Sequence, residues 1–240
     1  MRSKLLAALL AGLVLLAGCA GPLQTAGDAQ TTDSASDTPT ISVTGVGEVT
    51  ADPDVAFVHV SVVARADTAE AARADAATRV NDLLAALDEA GVPGDAVETT
   101  GFSIRQERDR EGEPTDFVAV HSLRVETGPD EAGAVVDTVV GAADASVDSV
   151  QFTLSDGVRA DLRAEALTRA VDAARADADA IAAAAGMEVT GVRTASTGGA
   201  FYPGPYASFD ERAADAGAST TFRPGPVTVS ATVSMTYAAS

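Results

Sequence analysis

From Ile41 onward the chain switches between two hydrophobic periods. Ile41, Val43, Gly45, Gly47 and Val49 recur at every second position with Ser42 and Thr44 between them, the pattern of a strand with one buried face. After the acidic turn Ala51-Asp52-Pro53-Asp54, Val58, Val60 and Val62 alternate with Phe57, His59 and Ser61. That predicts a second strand folded back on the first, with Pro53 fixing φ and the aspartates accepting from nearby amides. Glycines at 45 and 47 weaken a strand, so they predict a bulge or a close backbone approach. The period then lengthens: Ala72, Ala76, Val80, Leu83, Leu84 and Leu87 fall on one helical stripe. Asp67-Thr68-Ala69-Glu70 reads as a capping box at its start, with Gly91 and Pro93 as its stop.

The remainder repeats this device. Val97 to Gln106 reads as a third strand with Phe102 and Ile104 inward, and Phe117 to Glu126 as a fourth, antiparallel to it across a charged turn. Thr127-Gly128-Pro129-Asp130 opens a short helix with Ala132, Val135, Val136, Val139 and Val140 on one face. A fifth strand spans Val147 to Leu154. Ser155-Asp156 then caps a long helix reaching Ala185, with the stripe Leu162, Ala166, Ala170, Ala174, Ala178 and Ile181. Val189 to Thr194 and Val227 to Tyr237 complete the set. The predicted order is ββα-ββα-βα-ββ, an α+β fold of antiparallel strand pairs covered by amphipathic helices, over residues 40–240. One stretch breaks the rhythm. Residues 196–225 are rich in Gly, Pro and aromatics, and so long a loop is usually functional or disordered. Phe201, Tyr202, Tyr206 and Phe209 are its candidate contact residues; Phe222 lies near its end.

Composition matters most at the N-terminus. Arg2 and Lys4 precede an apolar run from Leu5 to Leu16, too short for a confident membrane span and flanked like a cleaved secretion leader over residues 1–18. The run ends in Leu16-Ala17-Gly18-Cys19, which resembles the lipobox of prokaryotic lipoproteins and marks Cys19 for lipid attachment. Cys19 is the chain's one cysteine, so an internal disulfide is impossible. Residues 19–39 are small, polar and acidic, the composition of a flexible tether. Localisation on the outer face of the cytoplasmic membrane is the expectation.

The net charge of -19, with Lys4 the only lysine, fits a protein working in very high salt, where self-repulsion is screened. No basic face exists for phosphates to meet, so nucleic acid is not an expected partner.

Candidate chemistry is sparse. His59 and His121, the only histidines, sit on predicted strands and would need to meet across a sheet to share a metal; no metal and no cofactor are expected. Asp52 and Asp54 lack the ligand spacing of a calcium loop. Gly45-Val46-Gly47 lacks the third glycine and the following helix of a dinucleotide site, and no G-x-S-x-G elbow occurs. The chain is not expected to be an enzyme.

Several separated blocks resemble one family. VTGVGEVTADPDVA (Val43 to Ala56), GVPGDAVETTGFSI (Gly91 to Ile104), VQFTLSD (Val150 to Asp156), the helix from Glu165 through Ala166 and Ala170 to Gly186, and PGPVTVSATVSMTY (Pro224 to Tyr237) are similar to the SIMPL-domain family of exported prokaryotic proteins. The resemblance implies an α+β, envelope-located domain without an agreed enzymatic activity, and ring-like oligomers as in some bacterial members. The leading expectation is a lipid-anchored, structural or stress-related envelope protein that self-associates through strand edges or the aromatic loop. The alternative is a solute- or glycan-binding lipoprotein. A metal-assisted enzyme through His59 and His121 comes last.

Overall fold

The described residues form two antiparallel sheets, one covered on one face by two helices and the other by a single long helix. The computed structural model describes residues 38–142, 145–198 and 219–240. In chain order the elements are β1 (Thr40–Ala51), β2 (Val55–Ala66), α1 (Ala69–Glu89), β3 (Val97–Arg108), β4 (Pro114–Thr127), α2 (Ala132–Gly141), β5 (Ala145–Thr153), α3 (Asp156–Ala184), β6 (Val189–Thr197) and β7 (Val227–Ala239). This is the expected α+β order. Three strands form one sheet, β1-β7-β6, and four form the other, β3-β4-β2-β5.

The pairing of the first two strands departs from expectation. β1 and β2 are not a hairpin. β1 pairs along its whole length with β7, from Thr40 opposite Ala238 to Ala51 opposite Val227, while β2 lies between β4 and β5. The acidic turn is engaged elsewhere, which is why it does not close a hairpin. Asp54 donates its N–H to the Thr153 carbonyl at the end of β5, and its carboxylate is held by Ser155. The turn is therefore a crossing between sheets.

Gly45 and Gly47 explain how α3 sits on the three-stranded sheet. The β1–β7 register runs without a shift, so neither glycine marks a bulge. A Cβ on Gly45 would overlap the Ala170 carbonyl oxygen and lie 2.7 Å from the Ala174 nitrogen. One on Gly47 would overlap the Ala166 carbonyl and lie 2.6 Å from the Ala170 nitrogen. Helix backbone thus rests directly on strand backbone. The buried α3 residues are Ala166, Ala170, Ala174, Ala178 and Ala182, a strict four-residue row, which is a ridge inclined about 26° to the helix axis. Following that row, Ala182 is buried and Ile181 is exposed, correcting the stripe drawn from the sequence. Ile41, Val233, Met235 and Tyr237 fill the space beside the alanines.

On the four-stranded sheet α1 and α2 take the same face. Val58, Val60 and Val62 of β2 pack with Val80, Leu83 and Leu87 of α1 and with Val135 and Val139 of α2. Leu84 and Val140, expected on these buried stripes, are exposed, as is Phe102. The N-cap of α1 is Thr68, whose Oγ1 accepts from the Ala71 N–H at 3.1 Å; with Thr68 as cap, Glu70 falls one position short of a capping box. Gly91 and Gly186 follow the long helices with φ of 88° and 70°, the left-handed conformation a glycine accepts without strain.

Candidate functional site

The helices occupy one face of each sheet, no described element covers the opposite face, and the two such faces differ in chemistry. On the three-stranded sheet, β1 turns Thr40, Ser42, Thr44, Val46, Glu48 and Thr50 outward. Their register partners on β7 are Ala238, Thr236, Ser234, Thr232, Ser230 and Thr228. On β6, Thr194 and Ser196 lie opposite Thr236 and Ser234. The result is a grid of hydroxyls across three strands, with Glu48 on β1 and the exposed Arg193 at the β6 register shift as the charges beside it. On the four-stranded sheet the open face carries Arg65 and His59 on β2, Glu98 and Arg105 on β3, and Arg124 and Glu126 on β4. There Arg124 pairs with Glu98 at 2.5 Å and lies over the Phe57 ring, 4.9 Å from its centroid.

The hydroxyl face holds a shallow depression of about 290 Å³. Six hydroxyls line it: Ser42 and Thr44, Thr194 and Ser196, Ser234 and Thr236. Two are tied across the strands, Ser42 Oγ and Thr236 Oγ1 standing 3.0 Å apart, which fixes their rotamers. Below the sheet, the Tyr237 hydroxyl donates to the Met235 sulfur at 3.2 Å, and Arg175 lies 5.6 Å from the Tyr237 ring centroid. Asp179 accepts from Arg175 at 2.9 Å and holds its guanidinium more firmly protonated than usual.

The two histidines lie on opposite faces of one sheet. His59 stands opposite Arg124 on the open face, and His121 opposite Val62 on the helix-covered face. His121 Nε2 is 3.0 Å from Thr99 Oγ1, with the Phe102 ring edge-on at 5.5 Å. One ion cannot reach both imidazoles. Among the described residues no group of three metal-ligating side chains comes together.

Asp54 accepts from an amide as expected, but the amide lies across the fold at the start of α3 and not within the turn. Its Oδ1 accepts from the Ser155 N–H at 2.7 Å and its Oδ2 from the Ser155 hydroxyl at 2.6 Å. Ser155 Oγ in turn accepts from the Val158 N–H in the first turn of α3. The hydroxyl bond, then the amide bond, lowers the Asp54 pKa, with a smaller contribution from the nearby Arg159 charge. The arrangement is a fastening between strand and helix.

Cys19 and the aromatic contact residues Phe201, Tyr202, Tyr206 and Phe209 lie outside the described residues. Phe222, from the same irregular stretch, is described and is half-buried against the core. Its ring meets Phe152 with centroids 5.5 Å apart and packs against the core of the four-stranded sheet. Thr220 donates its N–H and its hydroxyl to the Asp137 carboxylate of α2, the hydroxyl at 2.6 Å, and Gly133 leaves room for the Thr220 carbonyl. The end of the long loop is therefore pinned to one sheet before β7 enters the other. No helix among the described residues is long and apolar enough to cross a membrane.

The domain family is settled by the span that matches. A family model, SIMPL, described as "Protein of unknown function (DUF541)", covers residues 41–237. This chain belongs to the SIMPL family. No curated protein matches it. The matched span runs from the first buried residue of β1 to the buried Tyr237 of β7. It takes in both glycines under α3, the Asp54–Ser155 fastening and the Phe222 anchor, so the SIMPL domain is both sheets together. The family description names no activity, and the chain's own open faces are where a function must be sought.

Proposed function

We propose that this SIMPL-domain chain is an exported protein held at the outer face of the cytoplasmic membrane by a lipid on Cys19, and that it works by binding or self-assembly instead of catalysis. The observation that carries the reading is architectural. Among the described residues both sheets are covered by helices on one side only, which leaves two uncovered faces and four unpaired strand edges. The address rests on Leu16-Ala17-Gly18-Cys19 following an apolar run in a chain with no second cysteine.

Self-assembly through a strand edge is favoured at β1. β3 and β6 carry register shifts, and β3 also bears Glu98, Arg105, Glu107 and Arg108; bulges and charges of this kind blunt an edge. β1 has neither device over Thr40 to Val46. The Ala239 N–H to Pro39 carbonyl bond sets the parity, so the even-numbered residues of β1 turn their backbone groups away from β7. One of these, the Glu48 carbonyl, is taken by Arg169 at 2.7 Å. The stretch before it has no strand partner among the described residues.

Light scattering in molar salt on the full chain, beside a variant with residues 199–218 replaced by a short Gly-Ser linker, tests the reading. An assembly that persists without those residues and collapses in Thr44→Pro supports β1 as the contact. One that collapses with the replacement places the contact in the aromatic loop. A monomer throughout leaves ligand binding, and turnover of any substrate at a described residue would refute the whole reading.

A further inference from the structure

We infer that the hydroxyl face of the three-stranded sheet is a docking surface for an uncharged, polyhydroxylated chain, a neutral glycan strand, centred on Ser42, Thr44, Thr194, Ser196, Ser234 and Thr236. The inference rests on the binding reading above and names the ligand class that face would take.

The contrast between the two open faces is the first ground. Threonine suits exposed strand positions, and that preference alone would fill both faces alike. The outward rows of the four-stranded sheet instead set Arg65, Glu98, Arg105, Arg124 and Glu126 among serines and apolar residues such as Ser61, Ser122, Val63 and Val120. In a chain of net charge -19 with 35 acidic residues, the residues that line the depression carry no charge; Glu48 lies farther along β1, and the exposed Arg193 stands at the β6 register shift. A charged ligand finds no counter-charge in that lining, and an anionic one meets the long-range repulsion of the whole body.

The second ground is bonding capacity. A hydroxyl both donates and accepts, so a hydroxyl-lined surface matches a ligand whose own groups do the same, in either direction. The Ser42–Thr236 pair is already oriented, and Val46 is exposed beside the grid, offering an apolar patch to the C–H face of a sugar.

The third ground is size. Strand spacing and rise give this face on the order of 500 Å², below the ~800 Å² per partner of a standard protein interface. It is small for a second copy and ample for an extended saccharide lying across a depression of about 290 Å³.

The test is titration of the full chain with cellohexaose and maltohexaose, and with hexagalacturonate as the carboxylated control, followed by backbone amide shifts. Neutral hexasaccharides are expected to move the amides of those six residues, and hexagalacturonate is not. Ser234→Asp should weaken binding at least tenfold, and Thr44→Ala with Ser234→Ala several-fold, both with unchanged melting temperature. Shifts confined to other residues would overturn this face while the binding reading stands. Equal affinity for hexagalacturonate, or undiminished affinity in Ser234→Asp, would also overturn it. Shifts that follow protein concentration and not sugar would reassign the face to a second copy. No shift with any of the three sugars would overturn this inference, while the binding reading falls only if the light-scattering and turnover tests above go against it.

Discussion

The Asp54 carboxylate takes both polar hydrogens of Ser155, the backbone N–H at 2.7 Å and the hydroxyl at 2.6 Å. These residues lie on either side of a chain stretch that includes α1, α2 and four strands. One small contact thus ties the crossing between sheets to the N-terminus of the helix that covers β1.

This fastening has a pH signature with a defined sign. The Asp54 pKa is lowered in the folded protein, chiefly by the Ser155 hydroxyl and then by the Ser155 amide. Its contribution to stability is therefore fully present above the ordinary aspartate value of about 3.9. It is lost as pH falls through the lower folded-state value. Urea unfolding of wild type and Asp54→Asn between pH 7 and pH 2 should show the variant less stable at neutrality and the gap closing in acid. Ser155→Ala, which also removes the α3 cap, should cost about 1–2 kcal/mol at pH 7.

The glycines under α3 give the sharpest packing prediction. Gly45→Ala or Gly47→Ala forces a methyl into helix backbone that cannot rotate aside, so each should destabilise by at least about 1–3 kcal/mol. Gly191→Ala on β6 is the control: nothing lies within 4 Å of its added Cβ, and its effect should be within about 1 kcal/mol of zero. Denaturant midpoints measured side by side in molar salt decide the point.

Phe222 should behave as core despite its place in the irregular stretch. Phe222→Ala empties the space against Phe152 and should cost about 2–4 kcal/mol. Asp137→Ala, which strands the Thr220 amide and hydroxyl, should cost about 1–2 kcal/mol. The two substitutions grip one short segment from different sides, so a double-mutant cycle should show coupling of about 0.5 kcal/mol or more.

Among the described residues the seven strands and three α-helices were legible in the sequence, because period-two and helical patterns are local; the short 3-10 turn Gly94–Ala96 was not. Partner choice was not. The β1–β7 ladder joins residues nearly two hundred positions apart, and no local signal opposed the hairpin that Pro53 suggests. Ile181 was placed on the buried stripe by a period of 3.6, whereas the alanines follow a four-residue row set by contact with the glycines of β1. Thr68 was passed over as a cap because Asp67 and Glu70 made the better motif on paper. The alternating Thr and Ser of β7 were visible, but their significance depends on β1 presenting the same chemistry alongside. Only the register shows that.

Intact-mass analysis of the mature protein recovered from its native cells tests most directly the proposal that a lipid on Cys19 holds this SIMPL domain at the membrane. The predicted result is a chain that begins at Cys19, carries a lipid-sized mass increment on that residue, and leaves the membrane fraction in Cys19→Ser. An unmodified Cys19 in a soluble protein, or a chain retaining Met1 and bound equally well in Cys19→Ser, would contradict it.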